Sequence, residues 1–249
     1  SMNSKPMYEQ TESAGSTNVA RDWCAVLFAL ALPSLVTLTY FIWAQDSTAS
    51  IQQSVYSIAK VVQFAFPVVF VVWIQKQRLQ FDLNLPRGMM LGGVFGLIVF
   101  IAGLTIYRFF LESSDFFLVG QQRIQEKIVS MGLEQTWKFI AMGTFYCLIH
   151  SLLEEYYWRW FAFRQLNSLV TLRAAIMISA LGFMAHHVIV LGHFFGYFSL
   201  ATGLFSVAVA IGGVFWAWLY HRSGSLLGPW LSHLLIDAAI FTIGYDIAM

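Results

Sequence analysis

The chain has 249 residues, of which 58% are hydrophobic, 17% aromatic and only 11% charged, with a formal net charge of +1. Soluble domains carry about 25% charged residues, so this depletion, with a mean hydropathy of +0.67, excludes an ordinary water-soluble domain. The near-neutral balance, with no basic stripe, excludes a polyanion-binding surface, and no nucleic-acid partner is expected.

Residues 1–20 read as a flexible N-terminal tail. The stretch KPMYEQTESAGSTN has no apolar period, and the leading Ser1-Met2 resembles a tag-cleavage scar. Residues 21–249 read as a single integral membrane domain. A span needs about 20 largely apolar residues. Seven runs qualify: Trp23 to Ala44, Val55 to Ile74, Met89 to Phe110, Trp137 to Phe163, Leu172 to Leu191, Tyr197 to Tyr220 and Leu226 to Ile247. The expected fold class is therefore all-α, a polytopic bundle of about 7–8 membrane helices with its polar site inside. The first span starts too late, and is too long and aromatic, for a signal peptide. Cys24 and Cys147 lie in apolar runs and read as buried free thiols.

Lys5, Arg21, Lys76, Arg78, Arg87, Arg164, Arg173 and Arg222 fall on one side of such a bundle. The positive-inside rule then gives a cytoplasmic N-terminus, in the inner membrane if the host is bacterial, and the odd span count puts the C-terminus opposite. Lys60 reads as a span-edge charge on the other side. The interruption from Glu112 to Gln135 mixes apolar and charged residues at helical intervals, which suits an interfacial helix or a loop packed on the bundle. Gly92, Gly93, Gly96, Gly212 and Gly213 read as places of close helix packing rather than phosphate loops.

The N-terminal half has almost no titratable group in mid-span, whereas the C-terminal half has many. Glu154, Glu155 and Arg159 share the run CLIHSLLEEYYWRWFAF, and His150, His186, His187, His193, His233 and Asp237 follow on the same or later spans. Ionisable groups in a membrane span are kept mainly where they pair, face a cavity or do chemistry. Glu155 and Arg159 have the spacing of a helical ion pair. Glu154 is left over, and so marks a candidate site. His233 and Asp237 are four apart and project from one helix face, where Asp237 could accept the imidazole N–H and fix its tautomer. His187 lies four after Phe183 and shares its face. His150 precedes Glu154 by one turn, where helix packing explains it as well as chemistry does.

Three motifs in order on successive spans, Glu154-Glu155-x-x-x-Arg159, Phe183-x-x-x-His187 and His233-x-x-x-Asp237, resemble the CPBP group. That group contains the Ras-converting CAAX prenyl endopeptidases and the bacterial bacteriocin-processing or immunity proteins of the Abi family. The resemblance covers roughly Trp137 to the C-terminus, and GSLLGPWLSHLLIDAAI is similar to the last motif in its flanks too. It implies an intramembrane endopeptidase with its catalytic core at 137–249, acting on a membrane-embedded or lipidated peptide or protein in the bilayer. Glu154 would be the general base that activates water, assisted by His187. His233 and residue 237 would stabilise the oxyanion, and Glu155 with Arg159 would be the structural ion pair.

The family often has Asn at the last position. An ionised Asp237 accepts hydrogen bonds but cannot donate one, so here it is expected to orient His233. Glu154, His187 and His233 also resemble a two-His-one-carboxylate zinc set. Zinc is thus the one cofactor in view, and a metalloprotease and a glutamate-type protease both stay open, although there is no HExxH motif. His186 next to His187 leaves the register open too; His187 keeps the four-residue spacing. Two other functions fit the same residues: a non-proteolytic immunity or scaffold member of the family, and a proton- or ion-coupled transporter, for which no inverted repeat is visible.

Overall fold

The computed structural model describes residues 18–44, 46–81 and 88–249. Residues 1–17 of the expected tail, and Lys5 and Arg87 of the charge count, lie outside them. The described chain is all-helical, with eight helices and no strand. They are α1 (Val19–Trp43), α2 (Ser50–Ile74), α3 (Met89–Leu111), α4 (Asp115–Ser130), α5 (136–169), α6 (Leu172–Phe195), α7 (Leu200–Ser223) and α8 (Leu227–Ala248).

All but α4 and α5 are long and apolar enough to cross a membrane. The central helix α5 contains the expected span Trp137 to Phe163, but Lys138, His150, Glu154, Glu155 and Arg159 dilute its apolar character. Outward faces carry large apolar side chains, with Met90 77%, Phe109 75% and Trp73 73% exposed. Water would penalise such faces, whereas lipid does not. Exposed Trp43, Trp73 and Trp137 sit near helix ends, where aromatic belts lie. This is an integral membrane protein.

Local chemistry sets the helix limits. Thr48, Thr171 and Ser199 accept hydrogen bonds from the first-turn amides of α2, α6 and α7. At the end of α7 the chain turns through Gly224 at φ 71°, a left-handed conformation that glycine adopts without Cβ strain. α2 begins at Ser50, earlier than the expected Val55, so Lys60 is not at a span edge but near mid-helix.

Three of the five glycines singled out in the sequence sit at close helix contacts. A Cβ on Gly92 would lie 2.1 Å from the Gly228 carbonyl oxygen, and one on Gly96 would lie 2.9 Å from Ser232 Cα, so α3 presses directly on α8. Gly213 packs on Ala180, joining α7 to α6. Gly93 would meet only the Leu231 side chain, and Gly212 only Trp216 of its own helix. The amphipathic segment is α4. It buries Phe117, Gly120 and Ile128 and packs on α6 and α8. Arg123 Nη1 donates to the His193 carbonyl at 2.8 Å, at the end of α6.

Cys24 departs from expectation. Both cysteines are free, but Cys24 is exposed and Cys147 only half-buried. The inward face of α1 is taken by Asp22, Ala25, Val26, Ala29 and Pro33, which turns Cys24 outward.

Candidate active site

α5 holds the site together. Its segment Ser151–Glu155 is ordinary α-helix, set between π-helical stretches at Tyr146–His150 and Tyr156–Phe163. Such widened turns are rare and occur often at functional sites. Residues 157–163 are all buried. Tyr157 Oη donates to the Ala29 carbonyl of α1 at 2.8 Å and Tyr156 Oη to the Phe64 carbonyl of α2 at 3.2 Å. Lateral hydrogen bonds of this kind hold α5 at a defined depth and rotation against α1 and α2.

The two neighbouring glutamates have different partners. Glu155 is fully buried. Its Oε2 lies 3.1 Å from Arg159 Nε, and its Oε1 lies 2.8 Å from His233 Nδ1. The expected ion pair is present, and it also reaches across to α8. Arg159 sits between two rings, with its guanidinium carbon 4.8 Å from the Phe183 centroid and 5.0 Å from that of Trp216. A desolvated guanidinium against two ring faces adds cation–π attraction to the ion pair. Trp216 also stacks on the His233 ring, centroids 4.4 Å apart, and its Nε1–H donates to Ser232 Oγ at 2.9 Å. One carboxylate and one indole thus orient the His233 imidazole.

Glu154 faces imidazoles from three helices. Its Oε1 is 3.6 Å from His186 Nε2 and 4.0 Å from His150 Nε2, and its Oε2 is 3.7 Å from His233 Nε2. These separations exceed the 2.7–3.2 Å of a direct N–H···O bond, so the carboxylate lone pairs stay open to a water or a substrate group. Glu154 and His186 are buried at 4% and 5% exposure. Among the described residues, His150 Nε2 and His186 Nδ1 are buried without a hydrogen-bond partner. Buried polar atoms are seldom left so, which marks a polar centre rather than a packed core.

His233 and Asp237 come together with Glu154, but in roles that differ from expectation. Asp237 Oδ1 stands 3.7 Å from His233 Nε2. The ring nitrogen that is held is Nδ1, and its acceptor is Glu155 rather than Asp237. A carboxylate only accepts, so Nδ1 carries the proton and Nε2 is turned towards Glu154 and Asp237. His187 lies beside the centre, its ring 4.1 Å from that of His186, with Nδ1 2.9 Å from the Phe183 carbonyl. Of the two, His186 has the nitrogen close to Glu154. Rotation of α6 decides between adjacent residues about 100° apart, and spacing from Phe183 does not reveal it. Phe183 instead serves as a wall, edge-on to both His186 and His233.

Among the described residues no three His, Cys, Asp or Glu side chains form a group that could hold a metal ion. Of the three residues expected as a zinc set, Glu154 and His233 face each other at 3.7 Å, and His187 stands beside the His186 ring. His150, one turn before Glu154, joins the surroundings of the site, as do two residues that spacing did not mark, Trp216 against the His233 ring and, on α2, Lys60 over the Phe64 ring that meets His150. Trp216 and Lys60 stand at helix positions that carry no motif.

Residues 136–239 match the family described as Rce1-like, type II CAAX prenyl endopeptidase Rce1-like. No curated protein and no solved structure matches the chain. The matched residues include Glu154, Glu155, Arg159, His186, His187, His233 and Asp237, and they exclude α1 to α4. With the site on helices of the matched segment and six helices apolar and long enough to cross a membrane, this chain is an integral membrane protein whose residues 136–239 are similar to the Rce1-like family.

Proposed function

We propose that the protein is an intramembrane endopeptidase that hydrolyses a peptide bond in a membrane-embedded or lipidated substrate, with Glu154 as general base. The observation that carries this reading is the buried Glu154 carboxylate, which faces imidazole nitrogens of α5, α6 and α8 at 3.6–4.0 Å while forming no direct bond to any of them. In the reaction, Glu154 takes a proton from water as the oxygen attacks the scissile carbonyl. His233, with Nδ1–H held by Glu155, offers Nε2 on the side where negative charge develops, and in its doubly protonated form donates there. His186 or His187 orients the water. The proton on Glu154 then passes to the leaving amine as the C–N bond breaks, which restores the carboxylate.

The test uses purified protein in proteoliposomes with two probes, a farnesylated C-terminal peptide and an apolar transmembrane peptide. Cleavage of at least one is expected. Glu154→Gln and His233→Ala should each lower kcat by on the order of a hundredfold or more, the usual worth of acid–base groups. Cleavage at the parent rate by Glu154→Gln would overturn the assignment.

A further inference from the structure

His150 stands one turn before Glu154 on α5, where the sequence alone leaves packing and chemistry equally able to explain it. Its ring is held from two sides, by the Tyr146 ring at 4.7 Å and, edge-on, by the Phe64 ring of α2 at 6.2 Å. These contacts would serve any aromatic side chain. The nitrogen is a different matter. His150 Nε2 is buried, has no hydrogen-bond partner among the described residues, and lies 4.0 Å from Glu154 Oε1. A buried nitrogen left unmet is unfavourable, so packing accounts for the ring and not for the imidazole.

The two oxygens of Glu154 have different neighbours. Oε2 has His233 Nε2 at 3.7 Å, on the imidazole whose other nitrogen Glu155 holds. Oε1 has His186 Nε2 at 3.6 Å and His150 Nε2 at 4.0 Å. Both gaps on the Oε1 side are too wide for a direct bond, and one water about 2.8 Å from each atom spans them. A buried water typically makes about three hydrogen bonds, and Oε1 with the two nitrogens supplies that number.

We propose that His150 is a further catalytic residue, which with His186 holds the attacking water against Glu154 Oε1. This role rests on the peptidase reading and adds to it a residue that none of the three motifs contains. The water gives one hydrogen to Oε1 and the other to one Nε2, and it accepts a bond from the Nε2–H of the second imidazole. Its remaining lone pair is then free for the scissile carbonyl. As that pair forms the C–O bond, the carbonyl π electrons move onto the oxygen beside His233 and the water's proton passes to Glu154. Neither His150 nor His186 gains a proton in this step; both hold the attacking oxygen in place.

Kinetics on the purified full chain in proteoliposomes, with the farnesylated and transmembrane peptides as probes, test this role. His150→Phe keeps a ring between Tyr146 and Phe64 but removes the nitrogen, and His150→Gln offers an amide nitrogen near the place of Nε2. His150→Phe should lower kcat about tenfold or more, as a misplaced reactant does, with KM and Tm little changed. His150→Gln should recover much of the rate, and His150→Leu serves in place of the Phe variant if that one does not fold. Combined with His186→Ala, His150→Phe should cost less than the product of the two single losses, because both side chains act on one water. Parent kcat in His150→Phe, while Glu154→Gln stops cleavage, would overturn the role of His150 and leave the peptidase reading intact. Equal losses in His150→Phe and His150→Gln that follow a lowered Tm, or strictly multiplicative losses in the double variant, would overturn it too. If the parent protein cleaves neither probe, or Glu154→Gln cleaves at the parent rate, the peptidase reading itself fails and the role of His150 falls with it.

Discussion

Glu154 and Glu155 are adjacent in the chain and about 100° apart around the helix, and that angle separates their chemistry. Glu155 is occupied on both oxygens by Arg159 and His233, while Glu154 keeps open lone pairs. The same angle decides between His186 and His187. On the proposed reading, His186→Ala should lower kcat at least tenfold further than His187→Ala, because its Nε2 is the one 3.6 Å from Glu154; steady-state kinetics on either probe checks this. The local pairs were legible in the sequence because four-residue spacing dictates them: Glu155 with Arg159, and His233 beside Asp237. The contact between Glu155 and His233 was not, since it spans 78 residues and depends on how α5 and α8 pack. Lys60 was hidden for the same reason, and also because α2 begins earlier than its apolar run suggests.

The helices themselves were written in hydrophobicity, and every expected span falls on a helix apart from a few end residues such as Tyr197–Ser199, which precede α7. What hydrophobicity does not encode is contact between helices, which here rests on single backbone approaches. Gly92 is the tightest: any Cβ would overlap the Gly228 carbonyl, which cannot move aside as a side chain can. Gly92→Val should therefore sharply reduce the yield of monodisperse protein in size-exclusion chromatography, or its Tm, because α8 and His233 with it would be displaced. Gly93→Ala, one residue away and facing only the end of Leu231, should leave both close to the parent value. The π-helical turns that flank Ser151–Glu155 were equally invisible, because no residue type signals them. Tyr156 and Tyr157, which open the second stretch, bond laterally to α2 and α1.

At the scale of the molecule, seven helices, α1 to α3 and α5 to α8, form the bundle and α4 packs on it. If α5 crosses with the six apolar helices, the ends of α1 and α8 fall on opposite sides. A reporter placed before α1 should then read as cytoplasmic and one placed after α8 as external, in paired fusion assays. Finding both on one face would remove α5, or another helix, from the crossings. The great length of α5 has a further consequence. At 1.5 Å per residue it runs about 50 Å, against a hydrocarbon core of about 30 Å. Its far end is tied to α2 by the reciprocal amide pair of Gln165 and Gln75 at 3.1 and 3.2 Å. Glu154 stands eleven residues before that tie, on the same helix. The tie at that end therefore fixes how deep Glu154 sits in the bundle, and on the proposed reading it fixes the depth at which a bond is cut.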